Sequence, residues 1–397
     1  MKHLSADYFR APHDFTAGLR AEGPVHQVTL PTGARAWLVV GYDEALEVLR
    51  HPDIRKNPPG TPPKRDDAAV SPRVKRHLLN TDPPEHSRLR RLVTPAFAPS
   101  KLAALAPRVE AVTDELLERI GRADRVDLLE EFAFPLPIIV ICEMLGVPAR
   151  DRPRFREWST VIVDVSKADA SEKRSATDAF ADYLDGLIDA RREDPRADMI
   201  SDLVAASDDG GRLTRDELVA MVFLILVAGH ETTVNLLGNA IYTLLDDPRR
   251  YRALRADPGL VAPFVEEILR YDGPVNFTTV RFTATEVTIG GATVPEGELV
   301  LVAVGSANRD ERKFPDGKSF DPGRGNSGHI AFGHGIHYCL GAGLARLETR
   351  IALDGLARRY PDLRLAAGDL RWRESLLIRG LHSLPVHPHG APSAAVA

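Results

Sequence analysis

The segment that most constrains the fold is residues 214–246, a long apolar stretch with a helical pattern. Thr214 and Glu217 form a capping box at its start, in which each side chain accepts a hydrogen bond from the other residue's amide. A helix this long and apolar needs a large protein core around it, and the 44% apolar composition is sufficient for one. The uninterrupted apolar run, 218–228, is too short to span a bilayer, so we expect a core helix.

The rest of the chain predicts a mostly α fold with a small β part. Strand patterns occur at 25–40, around a turn at 31–33, and at 274–304, and a last hairpin is predicted near 372–386. Strands and helices do not alternate as βαβ units, which indicates an α+β class. No linker or repeat divides the chain, so we expect a single domain over 1–397 with a flexible tail at 387–397. Further helices are predicted at 43–50, 84–96, 101–122, 135–146, 150–168, 170–192, 260–271 and 340–359.

The composition excludes several classes of protein. Acidic residues outnumber basic ones, 56 to 51, which disfavours nucleic-acid binding. The chain has two cysteines, Cys142 and Cys339, so a disulfide framework is excluded and structural zinc is disfavoured. Residues 1–20 are polar and lack the apolar core of a signal peptide. We therefore expect a cytoplasmic protein that does not enter a membrane.

A glycine-flanked cysteine lies at 332–341, in the sequence Phe-Gly-His-Gly-Ile-His-Tyr-Cys-Leu-Gly. Gly333 and Gly335 permit tight backbone conformations and the close approach of a flat ligand. Cys339 directly precedes a predicted helix, whose amides and dipole stabilise a thiolate. Without a second cysteine nearby, such a thiolate is a nucleophile or a metal ligand. A buried structural cysteine is the alternative.

A polar interruption lies inside the long helix at 228–233, in the sequence Ala-Gly-His-Glu-Thr-Thr. A glycine and a charged residue reduce the stability of an apolar helix. Thr232 can donate back to the carbonyl of Ala228 and bend the helix. Mostly apolar residues resume at Val234. This favours a polar pocket within a buried helix over the alternative, a helix that surfaces into solvent.

These segments resemble the cytochrome P450 family. Phe332, Gly335, His337, Cys339 and Gly341 fit its F-x-x-G-x-H-x-C-x-G loop, and 228–233 is similar to its A-G-x-[DE]-T motif. The resemblance covers nearly the whole chain. It implies the family's triangular-prism fold, with the long helix over haem b and Cys339 as the iron ligand. A thiolate ligand pushes electron density onto the iron and favours O–O cleavage.

The resemblance also implies roles for further residues. Thr232 and Glu231 would handle protons during oxygen activation, while Ala228 and Gly229 would leave room for dioxygen. Haem carries two propionates, which need cationic partners, although alone such cations are typical of a solvated surface. The resemblance implies that the propionates are bound by His86, Arg90, Arg281 and His337. It also implies haem contacts for the loop residues Phe332, Gly333 and Gly341.

A charged pair with helical spacing lies at Glu267 and Arg270. Positions i and i+3 share a helix face, and alone such a pair is typical of a solvated surface. The pair resembles the family's E-x-x-R motif, which an arginine of a later F-x-P-x-R segment joins, here Arg324. We expect this network to be structural and Cys142 to be a core residue.

The resemblance implies a monooxygenase that inserts oxygen from O2 into a C–H bond of a hydrophobic small molecule, or epoxidises it. Natural products and steroid-like molecules are the expected substrates. No flavin or iron–sulfur segment is present, so a ferredoxin and an NAD(P)H-dependent ferredoxin reductase would supply electrons, docking in part on Arg88 and Arg91. The alternatives are a peroxygenase or isomerase, or a non-catalytic haem sensor, and the Glu231–Thr232 pair disfavours them.

The substrate pocket is expected to combine apolar residues from distant segments with the loop 55–71. Asp66 and Asp67 in that loop would attract an amine-bearing substrate, or would be two solvated charges. The other predicted pocket residues are Val227, Val275, Asn276, Phe277, Leu377 and Ile378.

Overall fold

The computed structural model describes residues 2–5, 8–9, 11–57, 69–163, 169–207, 213–325 and 328–390, so Asp66 and Asp67 lie outside the described residues. The chain forms two compact units, which we describe one at a time. The first unit comprises Met1–Pro58, Pro107–Leu136 and Thr232–Ala397. The second comprises Pro59–Ala106 and Pro137–Glu231. Helices dominate and the sheets are small, which confirms the predicted α+β class.

The described helices agree with most of the predicted ones to within a few residues. The predicted helix at 150–168 is described only as far as 163. The α-helices are α1 Pro12–Glu22, α2 Tyr42–Arg50, α3 Glu85–Val93, α4 Pro99–Ile120, α5 Pro135–Leu145, α6 Arg152–Val163, α7 Ala170–Glu193, α8 Met199–Ala206, α9 Arg215–Asp246, α10 Pro248–Ala256, α11 Val261–Asp272, α12 Val304–Ala307 and α13 Ala342–Arg359.

The strands form three small sheets in the described part of the chain. The largest has the order β1-β2-β3-β9-β6-β4, and the others are β10-β11-β5 and β7-β8. β2 and β3 pair antiparallel across a turn at Gly33, whose φ is 83°, which confirms the predicted pair. The strands are β1 Lys2–His3, β2 Val25–Thr29, β3 Arg35–Val39, β4 Ile54–Arg55, β5 Val126–Asp127, β6 Arg281–Thr283, β7 Val287–Ile289, β8 Ala292–Val294, β9 Leu299–Val302, β10 Arg364–Leu365 and β11 Pro385–His387.

The long helix α9 has the predicted start and length. The Thr214 amide donates to the Glu217 carboxylate at 2.9 Å, and the Glu217 amide donates to the Thr214 hydroxyl at 3.2 Å, so the capping box is present. By length and composition this helix is able to cross a membrane, but 72% of its most apolar window is buried inside the protein. Such burial is typical of a core helix.

Two parts of the C-terminal region differ from the predicted pattern. Instead of a simple hairpin at 372–386, Trp372 and Leu381 form an isolated bridge, and β11 pairs with β10 and β5. Alternating apolar residues indicate which face of a strand is buried, but they do not identify its partner. β11 also includes His387, the first residue of the predicted tail, and residues 391–397 lie outside the described residues.

Phe277 is part of the core of the first unit. Its side chain is almost fully buried, and its ring centroid lies 5.4 Å from that of Tyr8. The cluster around it includes Leu38, Val40 and Leu301 from the large sheet. Phe277 therefore supports the sheet. Its ring does not face a substrate, contrary to the pocket role that the sequence analysis predicted for it.

Candidate functional site

The cysteine loop of the first unit is closed by its own backbone. The Cys339 amide donates to the Phe332 carbonyl at 2.9 Å, and the Tyr338 amide donates to the Gly335 carbonyl at 3.1 Å. Gly333 and Gly335 have φ values of 73° and 70°, a conformation that favours glycine. A Cβ on Gly335 would also lie 2.6 Å from the backbone oxygen of Leu49 in α2. The glycines are thus needed to form the loop.

The two thiols lie in opposite environments. Cys142 is fully buried, and this burial raises the pKa of its thiol to about 12, as expected of a core residue. Cys339 is exposed and precedes α13, whose N-cap is Gly341. Its neighbours Ile336 and Tyr338 are unusually exposed for large apolar residues, at 46% and 40%. An exposed thiol bordered by apolar surface suits an apolar ligand bound through sulfur.

Glu266, His329 and Arg346 form a cluster that supports this loop, here called the buttress. Sequence reasoning missed it. The Arg346 guanidinium lies 4.5 Å from the centroid of the Phe332 ring and donates two hydrogen bonds to Glu266, at 2.6 and 2.9 Å. His329 lies 3.2 Å from the same carboxylate. Burial raises the pKa of Glu266, but the hydrogen bonds from His329 and Arg346 outweigh it and lower the pKa to about 2. The cluster ties α11 to α13 directly behind the loop.

The structure brings Glu267, Arg270 and Arg324 together, as predicted. The Glu267 carboxylate accepts hydrogen bonds from Arg270 at 2.8 and 2.6 Å and lies 3.6 Å from the Arg324 guanidinium. Arg270 also donates to the carbonyls of Gly317 and Ser319 at 2.9 and 2.8 Å. These bonds hold the strandless segment after α12 in place. The pair is buried, so the solvated-surface alternative does not apply.

Arg281 is a buried cation on β6. Its guanidinium donates to the Thr279 carbonyl at 3.3 Å. Lys56, which sequence reasoning missed, is also buried and donates to the carbonyls of Thr279 and Val280 at 3.3 and 3.2 Å. Two buried cations beside one backbone segment make this end of β6 electropositive, which suits an anionic group. His337 is half-buried in the 3-10 turn Gly335–His337.

In the second unit, α3 carries the other predicted propionate partners. His86 is buried and Arg90 half-buried. Burial and then the nearby Arg90 charge lower the pKa of His86, so at neutral pH it offers a hydrogen bond and no charge. Arg88 forms an ion pair with the buried carboxylate of Glu217, so it joins α3 to the start of α9. Arg91 is exposed, and of the two predicted docking arginines it is the one available to a partner.

The polar segment of α9 contains an opening in an otherwise buried stretch. Ala228 is exposed, and Val227, Gly229 and Thr232 are half-buried, while residues 233–241 are buried. A Cβ on Gly229 would lie 3.2 Å from Ile141, so the glycine also permits close packing against α5. The opening matches the predicted polar interruption and rules out a helix that surfaces completely.

His230 is a further residue that the sequence analysis did not assign. Its Nδ1 lies 2.7 Å from the Leu226 carbonyl, and its Nε2 lies 2.7 Å from the Ser159 hydroxyl of α6. A carbonyl can only accept, so Nδ1 carries the proton and Nε2 accepts from Ser159. Burial lowers the pKa of His230, which keeps the ring neutral. The Nε2 atom lies 3.9 Å from the Glu231 carboxylate, so this ring borders the predicted proton relay.

The predicted pocket residues of the first unit lie on two adjoining segments. Val275 and Ile378 form an antiparallel bridge, and the Asn276 amide donates to the Leu377 carbonyl at 2.9 Å. Leu377 is 43% exposed and Val275 is half-buried, whereas Asn276 and Ile378 are buried. Leu377 therefore offers the largest exposed apolar side chain of this group.

Comparison with known proteins agrees with this geometry. The family profile described as Cytochrome P450 matches residues 155–258 and 259–361. The chain is 48% identical to cytochrome P450 107B1 of Saccharopolyspora erythraea, over 95% of each chain. It is 42% identical to 6-deoxyerythronolide B hydroxylase of the same organism, over 94% of this chain and 95% of the relative.

A solved structure shows the same fold. The myxobacterial cytochrome P450 CYP267B1, crystallised with myristic acid, superposes with a TM-score of 0.90 at 40% identity. The match covers 96% of this chain and 97% of that one. Because the chain matches these proteins at 40–48% identity over almost its whole length, it shares the fold and the chemistry of their family. The chain belongs to the cytochrome P450 family and is a haem b monooxygenase.

Proposed function

We propose that this enzyme hydroxylates or epoxidises a hydrophobic natural product in the cytoplasm, with electrons from a ferredoxin and an NAD(P)H-dependent ferredoxin reductase. The observation that carries the proposal is the exposed thiol of Cys339, in a glycine loop at the N-terminal end of α13. The named activity of 6-deoxyerythronolide B hydroxylase supports a polyketide-like substrate. Membership of the cytochrome P450 family, which implies redox partners, supports separate electron donors.

The described residues fit haem b. In the first unit, the Cys339 sulfur would ligate the iron, and the apolar neighbours of that thiol suit a macrocycle. Haem, when bound, supplies the iron centre at which dioxygen is activated. Phe332, Gly333 and Gly341 shape the loop that would pack under it.

Four residues are proposed to hold the propionates. Arg281 and His337 belong to the first unit, and His86 and Arg90 belong to the second. Because the pKa of His86 is lowered, we assign it an N–H donor role and assign the positive charge to the two arginines. A charge-assisted hydrogen bond from a buried arginine is stronger than a neutral one.

Proton delivery is proposed for Thr232 and Glu231. A half-buried hydroxyl can hold a water molecule, and a carboxylate behind it can pass on protons from solvent. The His230 ring lies 3.9 Å from the Glu231 carboxylate, and because burial lowers the pKa of His230 this ring itself adds no positive charge there. Ala228 is exposed and Gly229 half-buried, which leaves space for a diatomic molecule beside Thr232.

Substrate contacts are proposed for Val227, Val275 and Leu377. The buried residues Asn276 and Ile378 hold the backbone of the last two segments together. These exposed or half-buried side chains are apolar, which favours a hydrophobic molecule. An attraction between Asp66 or Asp67 and an amine remains a prediction. Phe277 is omitted because it packs in the core.

The test is oxygen-dependent product formation with purified protein. We expect 6-deoxyerythronolide B or a related macrolactone to shift the haem absorption and to be oxidised when NADPH, a ferredoxin and its reductase are all present. Turnover with NADPH alone would contradict the need for separate donors. Turnover with hydrogen peroxide in place of the donors, at an equal rate, would favour the peroxygenase alternative.

A further inference from the structure

Residues 372–382, here called the substrate loop, carry Leu377 at an exposed position and Ile378 beside it. Within the loop, Trp372 and Leu381 form an isolated bridge and the Arg373 amide donates to the Gly380 carbonyl at 2.9 Å, while Ile378 forms a second isolated bridge with Val275. The Arg379 amide donates to the Pro274 carbonyl at 2.8 Å. These contacts are isolated and form no extended strand pairing, so side chains of other elements add to the attachment of the loop.

The C-terminal half of α9 supplies these side chains. The Asn239 amide nitrogen donates to the Arg379 carbonyl and to the Asp272 carbonyl, both at 3.0 Å. Asn239 is fully buried, so replacing its amide would leave two carbonyls without this donor away from water. A single side chain thus joins α9, the end of α11 and the substrate loop.

A second contact fixes the loop one position further on. A Cβ on Gly380 would lie 1.7 Å from the Asn235 side-chain oxygen, so Asn235 occupies the space that any other side chain would need. Gly380 is therefore required for close packing against α9. Even the methyl group of alanine would force either the Asn235 side chain or the loop to move.

An ion pair completes the attachment from the other side. The Arg379 guanidinium lies 3.3 Å from the Asp272 carboxylate, which His13 also contacts at 2.9 Å. Burial raises the pKa of Asp272, but the Arg379 charge and the His13 hydrogen bond outweigh it and hold the pKa well below its usual range. The Arg379 guanidinium also lies over the Trp372 ring, 3.2 Å from its centroid.

Asn235 and Asn239 follow Thr232 by three and seven residues, which places all three on one face of α9. We propose that Asn235 and Asn239 are positioning residues, which fix the substrate loop to the helix that carries the oxygen-activating segment. They thereby determine which part of a bound molecule is presented for oxidation. The effect on substrate orientation rests on the proposed function, which assigns Leu377 to substrate contact. The attachment of the loop to α9 does not depend on that function.

The experiment compares Asn239→Leu and Gly380→Ala with the parent protein. Gly18→Ala is the matched control, because a Cβ on Gly18 of α1 meets nothing within 4 Å. Hydrogen exchange of residues 372–382 reports on the attachment without needing haem. We expect this segment to exchange about tenfold faster in both variants and at the parent rate in the control.

Two azoles that ligate haem iron report on the pocket. Imidazole is too small to need the loop, whereas clotrimazole is large enough to touch it. The dissociation constant of clotrimazole should change about tenfold in both variants, while that of imidazole stays within about twofold. Two variants are used so that, if one of them misfolds, the other still tests the attachment of the loop.

Parent-like exchange at 372–382 in the variants that fold would overturn the inference. An equal change in the affinities of both azoles would overturn it as well, because haem binding and not the loop would then be affected. Failure of the proposed function looks different, since the parent protein would then bind the azoles but would neither bind nor oxidise the macrolactone. The exchange measurement would then judge the attachment alone.

Discussion

The Glu267 carboxylate accepts two hydrogen bonds from the Arg270 guanidinium, at 2.8 and 2.6 Å, and both side chains are buried. Arg270→Leu would leave the Glu267 charge buried and remove donors from the carbonyls of Gly317 and Ser319. Removing one partner of a buried pair costs about 3–5 kcal/mol, so we expect a large fall in the free energy of unfolding. Chemical denaturation measures it.

Arg249→Leu is the control for that variant. Arg249 pairs with Asp247 at the exposed start of α10, where solvent screens both charges, so losing this pair should hardly change the free energy of unfolding. An Arg270→Leu protein that unfolds at the same denaturant concentration as the control would show that the network is dispensable.

Cys339→Ala should abolish the red-shifted Soret band of the reduced carbon monoxide complex, because that band reports a thiolate ligand on iron. Cys142→Ala should keep it, since Cys142 is a buried core residue. Difference spectra of the two proteins at equal haem content make the comparison. The reverse pattern would reassign the ligand to Cys142.

Arg281→Leu should weaken haem retention, because a buried guanidinium is proposed to pair with a propionate. A charge-assisted hydrogen bond contributes roughly 1.5–3 kcal/mol, which corresponds to about a 10- to 150-fold loss of haem affinity. The rate of haem transfer to apomyoglobin measures this loss. Arg55→Leu, on the neighbouring strand β4, is the control. Unchanged haem transfer in an Arg281→Leu, His337→Leu double variant would remove the basis for the assignment.

Thr232→Ala should bind substrate and accept electrons as the parent does, while a smaller share of NADPH consumption yields product. Without the hydroxyl that holds water near dioxygen, reduced oxygen should leave as hydrogen peroxide. Glu231→Gln should instead slow total turnover, by roughly 10²-fold if it supplies the acid–base step. Product, peroxide and NADPH are measured together. Parent-like rate and coupling in Thr232→Ala would refute the relay.

The buttress at Glu266 predicts a pH dependence of stability. Hydrogen bonds from His329 and Arg346 outweigh burial and lower the pKa of Glu266 from 4.5 to about 2. A carboxylate with a lowered pKa stabilises the fold at pH values above its ordinary pKa. This contribution is lost as the pH falls from 4.5 towards about 2. Glu266→Gln should therefore have a lower melting temperature than the parent at neutral pH. The difference should shrink in acid, and a gap independent of pH would contradict the assignment.

Several features could be predicted because their causes lie within a few residues. The Thr214–Glu217 capping box, the turn at Gly33 and the glycines before Cys339 depend on backbone geometry and near neighbours. The same is true of the Glu267–Arg270 spacing, although its burial is not local. Segments of this kind also carried the resemblance to the family, so the fold class and the proposal of Cys339 as the iron ligand were within reach of the sequence.

The sequence alone thus determined the fold class, the long core helix and the glycine-flanked loop of Cys339, since these depend on local spacing and composition. Only the tertiary structure decided the Glu266–Arg346 buttress, the Ser159–His230 hydrogen bond and the attachment of the substrate loop by Asn239, which join residues 80, 71 and 140 positions apart. It also decided that Phe277 is core and that His86 is neutral. Burial and long-range pairing result from how whole elements pack, and no periodicity in the chain encodes which distant side chains meet.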